Sequence, residues 1–168
     1  SSSNSARVYD NTIIADGTVG TQLLSSRNSV VYNNTFLSSP QGLLSIDTGS
    51  GNNTFYWNNF TNTSSWYVND SNGSNYYNLV EGNAWFNVLN GSLNIVGTGN
   101  SSGYPGFFVG TQGLDYPYNS MNSRGKAIGN ITDFRPITPL SGAGSVCKIL
   151  STPNSVEILV SDVFGNGG

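Results

Sequence analysis

The residue types that support acid–base, nucleophilic or metal chemistry are scarce in this chain: nine Asp and Glu, six Lys and Arg, one Cys and no His among 168 residues. Without imidazole there is no Ser-His-Asp or Cys-His arrangement, and the commonest transition-metal ligand is missing. Carboxylate or Lys/Tyr chemistry remains. The best-spaced acidic pair is Asp47 and Asp70, 23 residues apart, and two carboxylates about 5 Å apart serve retaining glycosidases. Surface or turn aspartates at that spacing are commoner, and Arg27 has no partner of matching type one period away. The expectation is therefore a chain with no catalytic residue and no cofactor. Asp10 and Asp16 read as turn residues, with calcium binding as a minor alternative that their spacing does not support. No phosphate loop, nucleophile elbow or zinc spacing occurs. The lone Cys147 cannot form an internal disulfide and reads as filler in an apolar run.

The elements that would position any such residue must be built from an unusual composition. The chain has 24 Asn, 25 Ser, 13 Thr and 21 Gly, and only 9% charged residues, against about 25% in ordinary domains. A cytosolic enzyme is disfavoured, and solubility must rest on amides, hydroxyls or groups attached to them. With 36% hydrophobic and 12% aromatic residues and a net charge of −3, the chain lacks the signature of disorder. No Lys or Arg stands between Arg27 and Arg124, so nucleic acid and anionic membranes, which both need clustered cations, are not expected partners. No apolar run approaches the roughly 18 residues that span a bilayer, so direct membrane insertion is not expected either. Met121 is the only methionine, and the polar start Ser1 to Ser5 is consistent with removal of a secretion signal, which places the protein outside the cell or on its surface. Nine Asn-x-Ser/Thr sequons, at Asn33, Asn52, Asn59, Asn62, Asn69, Asn72, Asn90, Asn100 and Asn130, are candidate N-glycosylation sites that would supply the missing solubility.

A repeat organises these residues. The pattern apolar, aromatic, any, Asn, any, apolar occurs at Val8 to Ile13, Val31 to Phe36, Phe55 to Phe60 and Ala84 to Leu89, with its central Asn11, Asn34, Asn58 and Asn87 separated by 23, 24 and 29 residues. A second track follows the same period through Val19-Gly20, Leu43-Leu44 and Tyr67-Val68, and the turn-rich stretch Asn69 to Asn75 accounts for the longer third spacing. Two short β-rich runs per period, without helical periodicity, fit one coil of a parallel β-solenoid; a β-sandwich is the alternative. Residues one period apart then stack at about 4.8 Å. The recurrent Asn would form an inward amide ladder, each amide satisfying the next as donor and acceptor, and Tyr9, Tyr32, Tyr56 and Trp85 an aromatic column.

The stretch Gly51-Asn52-Asn53-Thr54-Phe55-Tyr56-Trp57-Asn58-Asn59-Phe60-Thr61-Asn62, with Val30 to Phe36 before it and Gly82 to Asn87 after it, resembles right-handed parallel β-helix repeats of the NosD-like, pectate-lyase-like superfamily. It is particularly similar to archaeal cell-surface members, in which a segment like Tyr116-Pro117-Tyr118, Gly125-Lys126, Asp133 and Pro136 to Leu140 closes the coils. The resemblance covers about residues 8–140 and implies a fold more than a function, since the superfamily holds lyases, hydrolases, adhesins and structural proteins.

The expected organisation is an all-β chain with about four parallel β-helix coils over 1–96, an irregular capping segment over 97–140 and a terminal β-hairpin over 141–168. Phe107, Phe108, Val109, Leu114 and Tyr118 are the residues expected to pack the cap on the last coil. The hairpin has two apolar runs around a Pro-Asn turn, and its Val146, Ile149, Leu150, Val156, Ile158 and Val160 are candidates for assembly by strand addition. The functional expectation is a non-catalytic structural subunit of an extracellular filament or surface layer, self-associating into a homopolymer and carrying covalent N-glycans. A glycan-binding adhesin, using aromatics such as Trp57, Trp66, Tyr67, Tyr76 and Tyr77, is the alternative, and a polysaccharide lyase or hydrolase a more distant one.

Overall fold

The computed structural model describes residues 5–14, 19–37 and 39–142 in full and, beyond them, the backbone of 146–152 and 155–161. Each period folds into three short strands. The first coil holds β1 (Arg7–Tyr9), β2 (Thr12–Ile14) and β3 (Thr21–Leu23); the second β4 (Val30–Tyr32), β5 (Thr35–Leu37) and β6 (Leu44–Ile46); the third β7 (Thr54–Tyr56), β8 (Asn59–Phe60) and β9 (Val68–Asp70). The six-residue motif thus supplies two strands, broken at its centre. Asp10, Asn33 and Trp57 take φ of 58°, 53° and 56° there, a left-handed conformation that Asn and Asp tolerate and that turns the chain from one sheet into the next.

Equivalent strands stack in parallel into three sheets, β1-β4-β7, β2-β5-β8 and β3-β6-β9. The register keeps Val8, Val31 and Phe55 in one column and Ile13, Phe36 and Phe60 in another. These columns, with Leu23 and Ile46 of the third sheet, fill the interior, and Phe36, Phe55, Phe60, Leu44 and Ile46 are almost wholly buried. Each such side chain removed from water contributes about 1.5–3 kcal/mol. The protein is a parallel β-solenoid of about three complete turns, one fewer than the four motifs suggest.

The fourth turn starts and does not close in sequence. Tyr76 bridges Thr54 of β7, and β10 (Ala84–Trp85) adds to β8. The chain then diverts through one helical turn, α1 (Phe86–Leu89), and an antiparallel hairpin of β11 (Val96–Asn100) and β12 (Phe108–Gln112). Beyond it, β13 (Tyr118–Asn119) pairs with β15 (Thr132–Asp133), while β14 (Ala127–Gly129) returns to lie parallel beside β9 and β16 (Ile137–Thr138) lies parallel beside β10. The segment expected as irregular wrapping therefore supplies the missing fourth rung of the third sheet and a fifth rung of the second. Of the packing residues expected there, Tyr118 and Val109 are buried, Phe107 and Phe108 are half-buried, and Leu114 is 92% exposed; Leu114 sits on a turn and packs nothing. The strands β17 (Val146–Thr152) and β18 (Ser155–Ser161) form an antiparallel hairpin in which Ile149 is opposite Ile158 and Cys147 opposite Val160.

Candidate functional site

The polar interior of the solenoid is two hydrogen-bonded ladders that run coil to coil. In the first, the N–H of Asn11 donates to Oδ1 of Asn34 at 3.1 Å, that of Asn34 to Asn58 at 3.1 Å, and that of Asn58 to Asn83 at 3.1 Å. Each side-chain amide repeats the step, with Nδ2 to Oδ1 distances of 3.0, 3.1 and 3.0 Å. Spare Nδ2 hydrogens close the turns: Asn58 donates to the carbonyls of Val31 and Tyr56. The rung after Asn58 is Asn83, not Asn87. The register places Ala84 opposite Asn59 and Trp85 opposite Phe60, four residues from the expected alignment. Asn87 instead lies in α1 and donates to the carbonyl of Ser123. The true spacings are 23, 24 and 25 residues, more even than the motif suggested, and the turn cluster at Asn69 to Asn75 adds nothing to them. The signal that finds Asn83 is an apolar inward residue two places after each Asn: Ile13, Phe36, Phe60 and Trp85.

The same slip redistributes the aromatics. Tyr9, Tyr32 and Tyr56 stack on the outside at 5.0 and 5.1 Å. Trp85 leaves that column for an interior one, Phe36, Phe60, Trp85 and Tyr118, at 5.0, 4.5 and 4.3 Å. Of the aromatics considered for sugar stacking, Tyr67 and Tyr77 are buried and Trp57 and Trp66 are half-buried against Gly103 and Gly42; Tyr76 is 57% exposed. The outer tyrosines lie nearly parallel, so neighbouring rings occupy the faces on which a sugar would stack.

The second ladder was not legible in the motif. The N–H of Ala6 donates to Oγ of Ser29, that of Ser29 to Oδ1 of Asn53, and that of Asn53 to Oδ1 of Asn75, at 3.1, 2.9 and 3.0 Å. Both ladders end on a buried aspartate. Asn75 gives its amide hydrogens to both oxygens of Asp70, whose Oδ2 also takes the Tyr77 hydroxyl at 2.8 Å. Asn83 gives its N–H to Oδ2 of Asp133 at 2.8 Å, beside Trp85 Nε1 at 2.9 Å, and the N–H of Arg135 reaches Oδ1 at 3.0 Å. A column in which every member donates forward must stop at a group that accepts without donating, and an ionised carboxylate is that group. Asp133 is fully buried, and burial pushes its pKa up to about 7 against the opposing effect of these N–H donors. Its close approach also fixes Gly82: a Cβ there would lie 1.9 Å from Asp133 Oδ1.

Glu81 clamps the β11–β12 region to the coil corner. Its carboxylate accepts Trp57 Nε1 at 2.8 Å, the Ser101 hydroxyl at 2.6 Å, and the N–H and hydroxyl of Ser102 at 2.7 Å each. Burial alone would raise its pKa, but the hydroxyl and N–H donors prevail and hold it at about 2. The Tyr104 hydroxyl donates to the Trp57 carbonyl at 2.9 Å. Together these bonds hold Trp57 in its left-handed corner, a conformation costly for a bulky side chain.

The pair best spaced for catalysis is split by the pleat. Asp70 stands opposite Ile46, the residue before Asp47, so the two carboxylates alternate across the sheet. Asp70 serves the buried ladder. Asp47 lies at the outer corner, where it accepts the Ser25 N–H at 3.1 Å and the Ser50 hydroxyl at 2.6 Å, and the Ser50 hydroxyl is the largest cause of its lowered pKa. Arg27 bridges Gly51 and donates to the Gly49 carbonyl. Asp10 accepts Asn33 Nδ2, and Asp115 the N–H of Asn94. All six described carboxylates thus receive hydrogen bonds from the chain's own turns or ladders. Among the described residues no group of three His, Cys, Asp or Glu could hold a metal ion, and no helix is long and apolar enough to cross a membrane. Asp16 and the side chains of Cys147 and of Val146, Ile149, Leu150, Val156, Ile158 and Val160 lie outside the described residues.

The sequons separate by exposure. Asn33, Asn52, Asn62, Asn90, Asn100 and Asn130 are exposed, whereas Asn59, Asn69 and Asn72 are half-buried. On the outer face of the second sheet, Ile14, Leu37, Phe86 and Leu89 line a groove of about 640 Å³. Comparison with protein-family models, with curated proteins and with solved structures finds no match to this chain.

Proposed function

We propose that the protein is a non-catalytic structural subunit of an extracellular filament or surface layer, assembled from copies of itself and carrying N-glycans. The observation that carries this reading is the fate of its acidic side chains: each described carboxylate is engaged by turn, ladder or clamp donors, and the best-spaced pair alternates across a sheet. Backbone ladders, amide columns and stacked rings running along one axis suit a part that resists extension and proteolysis.

The assembly element is the coil-one edge. Among the described residues β1, β2 and β3 each pair on one side only, and Val8, Tyr9 and Ile14 are 38%, 48% and 62% exposed. The opposite end is covered by the segment from α1 to β16, so growth by bare coil on bare coil has no second face. A strand added to the open edge gives a head-to-tail contact that need not close, which is the geometry of a filament. The hairpin β17–β18 is the donor: a two-stranded sheet is marginal in water by itself, and another copy's edge offers it a third strand. The resemblance of the repeats to archaeal cell-surface β-helix proteins of the NosD-like superfamily, and the low charge, support an exposed location.

Negative-stain electron microscopy and native mass measurement of the full chain test the proposal. Regular fibres that are lost when the strand Val156 to Val160 is interrupted by proline are the expected result. A monodisperse monomer across the accessible concentration range would end the polymer reading.

A further inference from the structure

We infer that Asn62 and Asn90 are N-glycosylation sites whose first sugars lie in the apolar groove outside the second sheet; this rests on the reading of the chain as an N-glycosylated surface protein. The groove follows from the pleat and the diversion at α1. Alternate residues of β2 and β5 point Ile14 and Leu37 outward, and α1 raises Phe86 and Leu89 as a wall at the far end. Its volume of about 640 Å³ lies within the roughly 300–1,000 Å³ range of small-ligand clefts. None of the described residues lining it is charged, and Ile14 is 62% exposed. Contiguous apolar surface of this kind marks a place that something covers.

Asn59, Asn62 and Asn90 all line this groove, and each heads a sequon. Asn59 is half-buried in β8, whereas Asn62 and Asn90 are exposed. Their amides also differ from those of other sequons. Nδ2 of Asn33 donates to Asp10, that of Asn52 to Asn28, that of Asn72 to the Thr48 carbonyl and that of Asn130 to the Gly73 carbonyl. Asn90 uses its Oδ1 to accept the Ser92 N–H at 2.9 Å, and among the described residues neither Asn62 nor Asn90 donates through Nδ2. A sugar on either nitrogen displaces no native bond. Pyranose rings present a C–H face that packs on aliphatic and phenyl groups while their hydroxyls remain in water, which matches a floor of Leu37 and Phe86 between amide rims.

The transfer needs a lipid-phosphate-linked oligosaccharide and its membrane transferase. The Nδ2–C1 bond forms as the C1–O bond to phosphate breaks; the lipid phosphate leaves with the electron pair, and the amide nitrogen gives one proton to a base of the transferase. Glycopeptide mass spectrometry of the full chain secreted from a glycosylating host tests the assignment, with Asn62→Gln/Asn90→Gln and Asn33→Gln/Asn52→Gln variants compared for binding of an apolar fluorescent dye. Occupancy at Asn62 and Asn90, and a several-fold rise in dye binding for the Asn62/Asn90 variant alone, are expected. Occupancy confined to other sequons overturns the groove assignment while leaving the glycoprotein reading intact. An entirely unmodified chain overturns both. Occupied sites whose removal leaves dye binding unchanged show that the sugars do not lie in the groove, and overturn it as well.

Discussion

Replacing Asn58 by alanine tests whether the amide column holds the coils together or merely fills space. Asn58 is fully buried. Its Oδ1 is the acceptor for both the N–H and Nδ2 of Asn34, and its Nδ2 donates to Val31, Tyr56 and Asn83. After truncation several partners keep another bond: Asn34 Nδ2 still reaches the Val8 and Tyr32 carbonyls, the Tyr56 carbonyl still accepts the N–H of Asn33, and Asn83 Oδ1 still accepts the N–H of residue 58. The Asn34 N–H loses its acceptor and the Val31 carbonyl loses its amide donor. At about 1–3 kcal/mol for each stranded buried group, the loss is about 4 kcal/mol. For a chain of this size each kcal/mol lowers Tm by about 2–4 °C, so a fall of about 8–16 °C is expected. Asn11→Ala is the control. Asn11 occupies the exposed end of the column, where water replaces its bonds, and about 1 kcal/mol or less is expected there. Thermal unfolding followed by far-ultraviolet circular dichroism, with denaturant midpoints as a check, measures both. Equal losses for the two variants would refute the idea that position in the column sets the cost. The variant Asn58→Asp adds a sign: its acceptor-only side chain faces the Val31 and Tyr56 carbonyls and Asn83 Oδ1, so its stability should recover on acidification.

Four further outcomes follow from the same geometry. Asn83→Ala should cost several times more than Asn87→Ala, because Asn83 accepts twice from Asn58 and donates to Phe55 and Tyr77, whereas Asn87 makes one side-chain bond and its buried Oδ1 makes none; denaturant midpoints for both decide between the two registers. Stability should peak near pH 4–5. The raised pKa of Asp133, from 3.8 to about 7, gives stability fully present below about pH 4 and lost as pH rises to 7, about 4 kcal/mol in total. Glu81, lowered from 4.5 to about 2, gives stability present above about pH 4.5 and lost as pH falls toward 2. A Tm that climbs between pH 4 and 7, or a declining limb that Asp133→Asn leaves unchanged, would contradict the assignment. Gly82→Ala should prevent the segment from α1 to β16 from docking, since the new methyl group overlaps the Asp133 carboxylate; loss of near-ultraviolet aromatic signal with β-content retained is the expected readout.

The sequence alone determined the solenoid and most of its first ladder. Asn11, Asn34 and Asn58 recur at 23 and 24 residues because adjacent coils impose nearly constant chain length, and the apolar and aromatic residues around them fix which side faces in. Tertiary structure decided everything that depends on contacts between distant segments. Asn83 and Asp133 meet across 50 residues, and Glu81 reaches Ser101 across 20; no local spacing encodes either meeting. Asp70, which the chain spacing suggested as a partner for Asp47, belongs to the interior because a sheet alternates its side chains, and one residue of register separates a surface carboxylate from a buried one. The fourth motif failed for a related reason. At Trp85 the pattern Ala-Trp-Phe-Asn-Val-Leu fits both the repeat and a turn of helix, and stacking on Phe60 and Tyr118, with the indole N–H held by Asp133, selects the register that makes Asn87 helical. The same choice raises Phe86 and Leu89 beside Ile14 and Leu37, creating a groove that no linear pattern announces.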